Sequence, residues 1–146
     1  MRVRSTTIRA TPAMRRLKML AARGGVVGIS AYTPFCETRP GVRPTLEDYI
    51  NHIAHIADLV GPDHVGIGSD FFEAESPIRF EHFFRVRYPD IIGAYTLETV
   101  YARGFERVDR FPQLTEALAR RGFSASDIRK VLGLNFLRVF RATFKG

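Results

Sequence analysis

Residues 45–71, TLEDYINHIAHIADLVGPDHVGIGSDF, read in succession as a helix, a sharp stop and a strand. Thr45 with an acid three positions later, Asp48, is a capping-box start. Leu46, Tyr49, Ile50, Ile53, Ile56, Ala57 and Val60 then recur at helical spacing, and Gly61-Pro62 ends the run. HVGIGSDF (64–71) is apolar until it meets Ser69 and Asp70, the pattern of a buried strand. Upstream, VVGISAY (26–32) is a second short run of the same kind. Strand, helix, strand, with both strands apolar, is the reading of consecutive βα units in a parallel sheet. Right-handed crossovers set consecutive strands side by side, so VVGIS and VGIGS are expected to pair, with helix 45–60 over one face.

The flanks extend this pattern. Thr11-Pro12 supplies a hydroxyl cap and a first-turn proline, Met14, Leu17, Leu20 and Ala21 follow at helical spacing, and Gly24 is the stop. Thr33–Pro44 holds three prolines and a glycine and reads as a loop. Residues 72–111 are long, aromatic and broken by prolines, and read as a loop insertion or small subdomain after the second strand. Phe111-Pro112 starts another helix that Gly122 stops. Ser124 and Asp127 cap a last helical stretch, SDIRKVLGLNFLRVF, which Gly133 is expected to break or bend.

Composition narrows the class. The chain has 146 residues, 45% hydrophobic and 25% charged, which is ordinary for a folded domain and excludes a disordered or collagen-like chain. One cysteine, Cys36, cannot form an internal bridge, which points to an intracellular protein. No apolar run approaches the roughly 20 residues of a membrane helix, so no membrane span is expected. The net charge of +7 is uneven. Residues 1–23 carry +7, residues 24–109 carry −6 and residues 110–146 carry +6. Nucleic-acid binders interleave basic and aromatic residues on one element, whereas here the aromatics crowd the acidic middle. Nucleic acid is therefore not read as a partner. The basic segment 1–11 reads as a disordered N-terminus, and residues 12–146 as the folded part.

Asp70 is the leading candidate for chemistry. In parallel α/β folds ligands lie beyond the carboxyl ends of the strands, where this residue falls. A carboxylate there has the reach to bind a cation or a substrate amine, or to act as a base; alternatively it caps the following turn. His52 and His55 lie i, i+3 on a helix with no third ligand evident, and read as solvated. His64, at the start of its strand, is not expected to share a site with Asp70, and His82 falls in the aromatic stretch. No HExxH, cysteine pair, Walker loop or GxGxxG is present. Ser69 has no triad partner, and Cys36 reads as an ordinary thiol.

The segments AARGGVVGISAY (21–32), INHIAHIADLVGPDHVGIGSDF (50–71) and FPQLTEALARRGFSASDIRKVLGLNFLRVF (111–140) together make the chain resemble the membrane (renal-type) dipeptidase family of zinc peptidases. The resemblance runs from about residue 9 to 141. It implies a (β/α)₈ metallohydrolase barrel with a dinuclear zinc site that hydrolyses dipeptides. It also implies that these residues are the C-terminal part of that α/β barrel, the last two strands and their helices. A whole barrel typically takes about 250 residues. The family's zinc ligands lie upstream of the matched region, so no metal ligand is assigned here. The Asp of the family's GSDFDG motif falls on Asp70, as a substrate-side catalytic residue; Phe72-Glu73 stand where Asp-Gly is usual. The family's arginine for the substrate carboxylate falls on Arg9, without the Asn and Asp that accompany it. The expected partners are a dipeptide and either the missing N-terminal half or a second copy. Two strands leave sheet edges and apolar surface open, so self-association or molten behaviour is expected of the chain alone. The competing reading is a non-catalytic remnant or interaction module.

Overall fold

A pair of short parallel strands organises the chain. The computed structural model describes residues 11–72, 76–87 and 96–144. Strand β1 (Val27–Ile29) pairs with β2 (Val65–Ile67), Val27 opposite Val65, Gly28 opposite Gly66 and Ile29 opposite Ile67. A parallel pair needs a long crossover, and here the crossover carries α2 (Thr33–Cys36) and α3 (Leu46–Val60). Both the pairing and the parallel sense are those the sequence predicts.

Helix α1 (Pro12–Ala22) precedes β1, with Thr11 Oγ1 accepting from the Met14 N–H at 3.3 Å. Its apolar positions Met14, Leu17, Leu20 and Ala21 are half-buried. The α3 capping box is complete: Thr45 Oγ1 accepts from the Asp48 N–H, and the Thr45 N–H donates to Asp48 Oδ2 at 2.8 Å. That backbone donor holds the Asp48 carboxyl below the usual carboxylate range. Tyr49, Ile50, Ile53 and Ala54 are the buried face of α3, and the Tyr49 hydroxyl donates to Ile29 O at 2.8 Å. Gly61 ends the helix at φ 94°, a left-handed conformation that favours glycine.

Two sequence readings need correction. Thr33–Cys36 is a helical turn and not loop: Pro34 is at a helix start, where its missing N–H costs nothing. Thr33 is buried and its hydroxyl donates to Thr99 O at 2.9 Å. The aromatic stretch is likewise not one long loop. It contains α4 (Pro77–Arg87), and residues 96–106 return to the core, where Val100, Ala102 and Phe105 are fully buried. Residues 73–75 and 88–95 of that stretch, and nearly all of the 1–11 segment, lie outside the described residues. No described helix is long and apolar enough to cross a membrane.

The C-terminal segment closes the lower end of the strands. Helix α5 (Phe111–Arg120) buries Leu114, Ala117 and Leu118, and a Ser124 cap opens α6 (Ala125–Arg129). A wide turn at 130–134, broken where Gly133 leaves helical geometry, leads to α7 (Asn135–Thr143). Buried Asn135 donates from Nδ2 to Pro62 O at 2.7 Å and Val65 O at 2.8 Å. Arg138 donates to Gly24 O and, at 2.7 Å, to Asp63 O. Between them Phe136 fills the space left by the strand glycines: a Cβ on Gly66 would lie 2.6 Å from its ring, and one on Gly28 3.2 Å. Gly66→Ala is therefore expected to destabilise the fold by about 1–3 kcal/mol, the usual cost of overpacking. Chemical denaturation followed by circular dichroism checks this, and an unchanged midpoint would refute the packing account.

Candidate active site

The strand ladder carries on past β2. Gly68 N–H donates to Ile29 O at 3.0 Å and Ala31 N–H to Ser69 O at 3.3 Å, which fixes Ser69 against the end of β1. Asp70 comes next and is exposed at the carboxyl end of the strand pair. Its φ is 59°, and it is the only non-glycine with positive φ among the described residues. Asp tolerates this left-handed region better than most residues, yet the conformation still costs about 1 kcal/mol and persists only where neighbours enforce it.

Those neighbours come from the aromatic stretch. The Tyr101 hydroxyl donates to Asp70 O at 2.9 Å and accepts from the Phe72 N–H. Tyr101 itself forms an antiparallel bridge with Tyr32: Thr33 N–H donates to Val100 O at 2.8 Å and Ala102 N–H to Ala31 O at 3.0 Å. Arg43 Nε donates to Tyr101 O at 3.0 Å, and the Arg43 guanidinium pairs with Glu106 at 3.2 Å. The second partner in the bridge, Tyr32, is half-buried; burial raises its hydroxyl pKa, and the negative charge of Asp70 raises it further. The Asp70 carboxylate is thus within electrostatic reach of a phenol.

Aromatic rings surround this point. Phe71 meets Tyr101 edge-on at 5.0 Å and Phe105 at 4.9 Å, on the core side. Phe72 stacks on Phe83 of α4 at 5.0 Å and 15°, and both remain about two-fifths exposed. Tyr32 packs edge-on against Phe35, which is 66% exposed.

The other sequence candidates lie elsewhere. His52 is not fully solvated: it is half-buried, with Nε2 3.2 Å from Cys36 O, because α2 folds back over that side of α3. His55 is exposed, as read. His64 Nδ1 is 2.8 Å from Gly25 O at the opposite end of the strands, and His82 is exposed on α4. Among the described residues no group of three or more His, Cys, Asp or Glu could hold a metal. Arg9 lies outside the described residues.

Cys36 is buried, with Sγ donating to Ser30 O at 2.8 Å; burial, helped by the charge of Asp48, pushes its thiol up to about 12. A thiol reagent at about pH 8 is therefore expected to label Cys36 only as fast as the fold opens. A rapid labelling phase in the folded protein would refute this burial. Tyr101 and Tyr32 had no local signature. The apolar triplet Val100-Tyr101-Ala102 was the one sign that this part of the aromatic stretch belongs to the core.

Comparison with known proteins gives the geometry a context. The model of the membrane dipeptidase family, peptidase family M19, matches residues 15–98 and 91–145. Dipeptidase verJ of Clonostachys rogersoniana is 34% identical over 123 residues, 84% of this chain and 25% of its own length. Dipeptidase ataJ of Aspergillus terreus is 32% identical over 126 residues, 86% of this chain and 25% of its own. The chain spans about a quarter of the length of these curated relatives. Among solved structures, an amidohydrolase from Pseudomonas aeruginosa superposes with a TM-score of 0.69 at 34% identity, covering 88% of this chain and 39% of that one. Dipeptidase AC, a metallopeptidase, superposes with a TM-score of 0.64 at 25% identity, covering 88% and 31%. With both strands, the Asp70 turn and the Asn135–Arg138 closure inside the matched residues, this chain belongs to the membrane dipeptidase family, M19.

Proposed function

We propose that these residues form the substrate-side, C-terminal sector of a metallodipeptidase barrel, with Asp70 facing the dipeptide. The observation that carries this reading is an exposed carboxylate in an enforced left-handed conformation at the carboxyl end of a parallel strand pair. Open edges support the barrel: β1 and β2 are a two-stranded sheet among the described residues. Exposed apolar side chains on and beside the last helix, Leu134, Leu137, Phe140 and Phe144, offer a surface for further units.

Peptidases of this family are metallopeptidases, and the resemblance implies two zinc ions. The described residues do not fit a metal centre, since they bring no three ligating side chains together. Ligands are accordingly sought outside the described residues, and the role of this sector rests on its own side chains. An exposed Asp70 carboxylate suits pairing with the free ammonium of a dipeptide, and is placed to accept or return a proton. Arg9 is the candidate for the substrate's carboxylate.

A module without chemistry is the second reading, favoured by the lack of a ligand cluster among the described residues. The test measures Ala-Ala hydrolysis together with bound metal in the longest polypeptide whose coding sequence carries these residues. Metal and turnover arriving together are expected. A polypeptide that binds no metal and cleaves no dipeptide would overturn the proposal in favour of the second reading.

A further inference from the structure

We propose that Tyr101 is a positioning residue for Asp70: its one hydroxyl holds the Asp70 carbonyl and the Phe72 N–H together, and so sets the direction of the Asp70 carboxylate. This rests on the reading of Asp70 as the substrate-side carboxylate, and it gives the aromatic stretch after β2 a task.

The strand ladder last reaches the β2 chain at Ser69 O. Asp70 lies one residue beyond it, in a conformation that a free chain abandons. The two peptides that follow Asp70, one on each side of Phe71, meet a single phenol oxygen, which donates to the Asp70 carbonyl and accepts from the Phe72 N–H. That oxygen is fixed from behind. Tyr101 is 4% exposed, its ring is held edge-on by Phe71, and its main chain is bridged to Tyr32. Arg43 grips the Tyr101 carbonyl, Glu106 grips Arg43, and Glu106 also accepts from the Gly104 N–H at 2.8 Å. The anchor therefore runs from the α2–α3 loop through residues 101–106 to Asp70. The bridge partner, Tyr32, lies within electrostatic reach of the Asp70 charge.

A double-mutant cycle in the complete dipeptidase polypeptide separates positioning from plain structural support. Tyr101→Phe keeps the ring and removes the hydroxyl. It is expected to lower kcat by about 10- to 100-fold, the scale of a small misplacement of a reacting group, with KM moving far less. Exchange of the Phe72 amide should quicken while amides of α3 stay protected. In an Asp70→Asn background the same change should cost less than about twofold, because residues acting through one another are non-additive. An equal loss in both backgrounds, or an unchanged kcat in the Tyr101→Phe protein, would overturn the positioning role and leave that of Asp70 standing. Wild-type turnover in the Asp70→Asn protein would overturn both. Should Tyr101→Phe fail to fold, the parent protein still decides. A Phe72 amide that exchanges as freely as an open loop refutes the clamp, and a protected one supports it.

Discussion

Asp70→Asn, in the complete polypeptide, is expected to lower dipeptide turnover by about 10²–10⁴-fold, the range that positioned acid–base groups supply. Bound metal is expected to stay within error of the parent. The substitution is nearly isosteric, and Asn tolerates the left-handed conformation that Asp70 adopts at φ 59°. The Tyr101 hydroxyl binds the main chain at this position and not the side chain, so the turn survives the change. On the proposed role, what disappears is a negative charge for the substrate's ammonium and the capacity to take a proton. Parallel measurement of Ala-Ala hydrolysis and metal content checks this. Metal loss in the variant would make Asp70 a ligand, and full turnover would remove it from the site.

The second large effect is an expected absence. The 146-residue chain by itself should hydrolyse no dipeptide, even with added Zn²⁺. The histidines are dispersed: His64 faces Gly25 O at one end of the strands, His52 faces Cys36 O beside α3, and His55 and His82 are exposed. Among the described residues no cluster of three potential ligands exists. Asp70 alone offers a charge and a proton acceptor, which does not replace an activated nucleophile. Assays of the purified chain across a zinc titration, with a dipeptidase of the family as the positive control, read the outcome. Zinc-dependent turnover by this chain would show that the residues outside the described set complete a site.

How far the sequence carried the reading depends on how local each signal was. Helix α3 was legible from end to end, because its cap, its apolar period and its Gly61-Pro62 stop are all short-range. The strand pairing followed from two apolar runs and one crossover. Helix α4 was hidden: its phenylalanines and charges follow no helical period, so periodicity had nothing to find. The single turn at Thr33–Cys36 was misread because proline marks helix starts as well as loops. The exposed position of Asp70 at the strand end was legible from the apolar run before it, and the family resemblance names the same residue as a candidate. Tyr101 was not, since it meets Asp70 across 31 positions and only the fold brings them together. The partial burial of His52 depended likewise on α2 folding back, which no residue of α3 announces.

The closure made by Asn135, Phe136 and Arg138 also bears on the order in which the chain can be completed during synthesis. Its hydrogen bonds reach back 70 to 75 positions to Pro62, Asp63 and Val65, and 114 positions to Gly24. Both strands and α3 leave the ribosome long before these partners exist. Until then the carbonyls at the strand starts are unsealed, and the strand glycines face a gap where the Phe136 ring belongs. Contacts of such sequence separation form late and slowly. The nascent protein therefore passes through a stage with its central strand pair half-covered, the state in which exposed edges and apolar surface are most prone to misassociate. Ribosome pausing ahead of codon 135 prolongs that stage, and substitutions at 135–138 extend it into the finished chain.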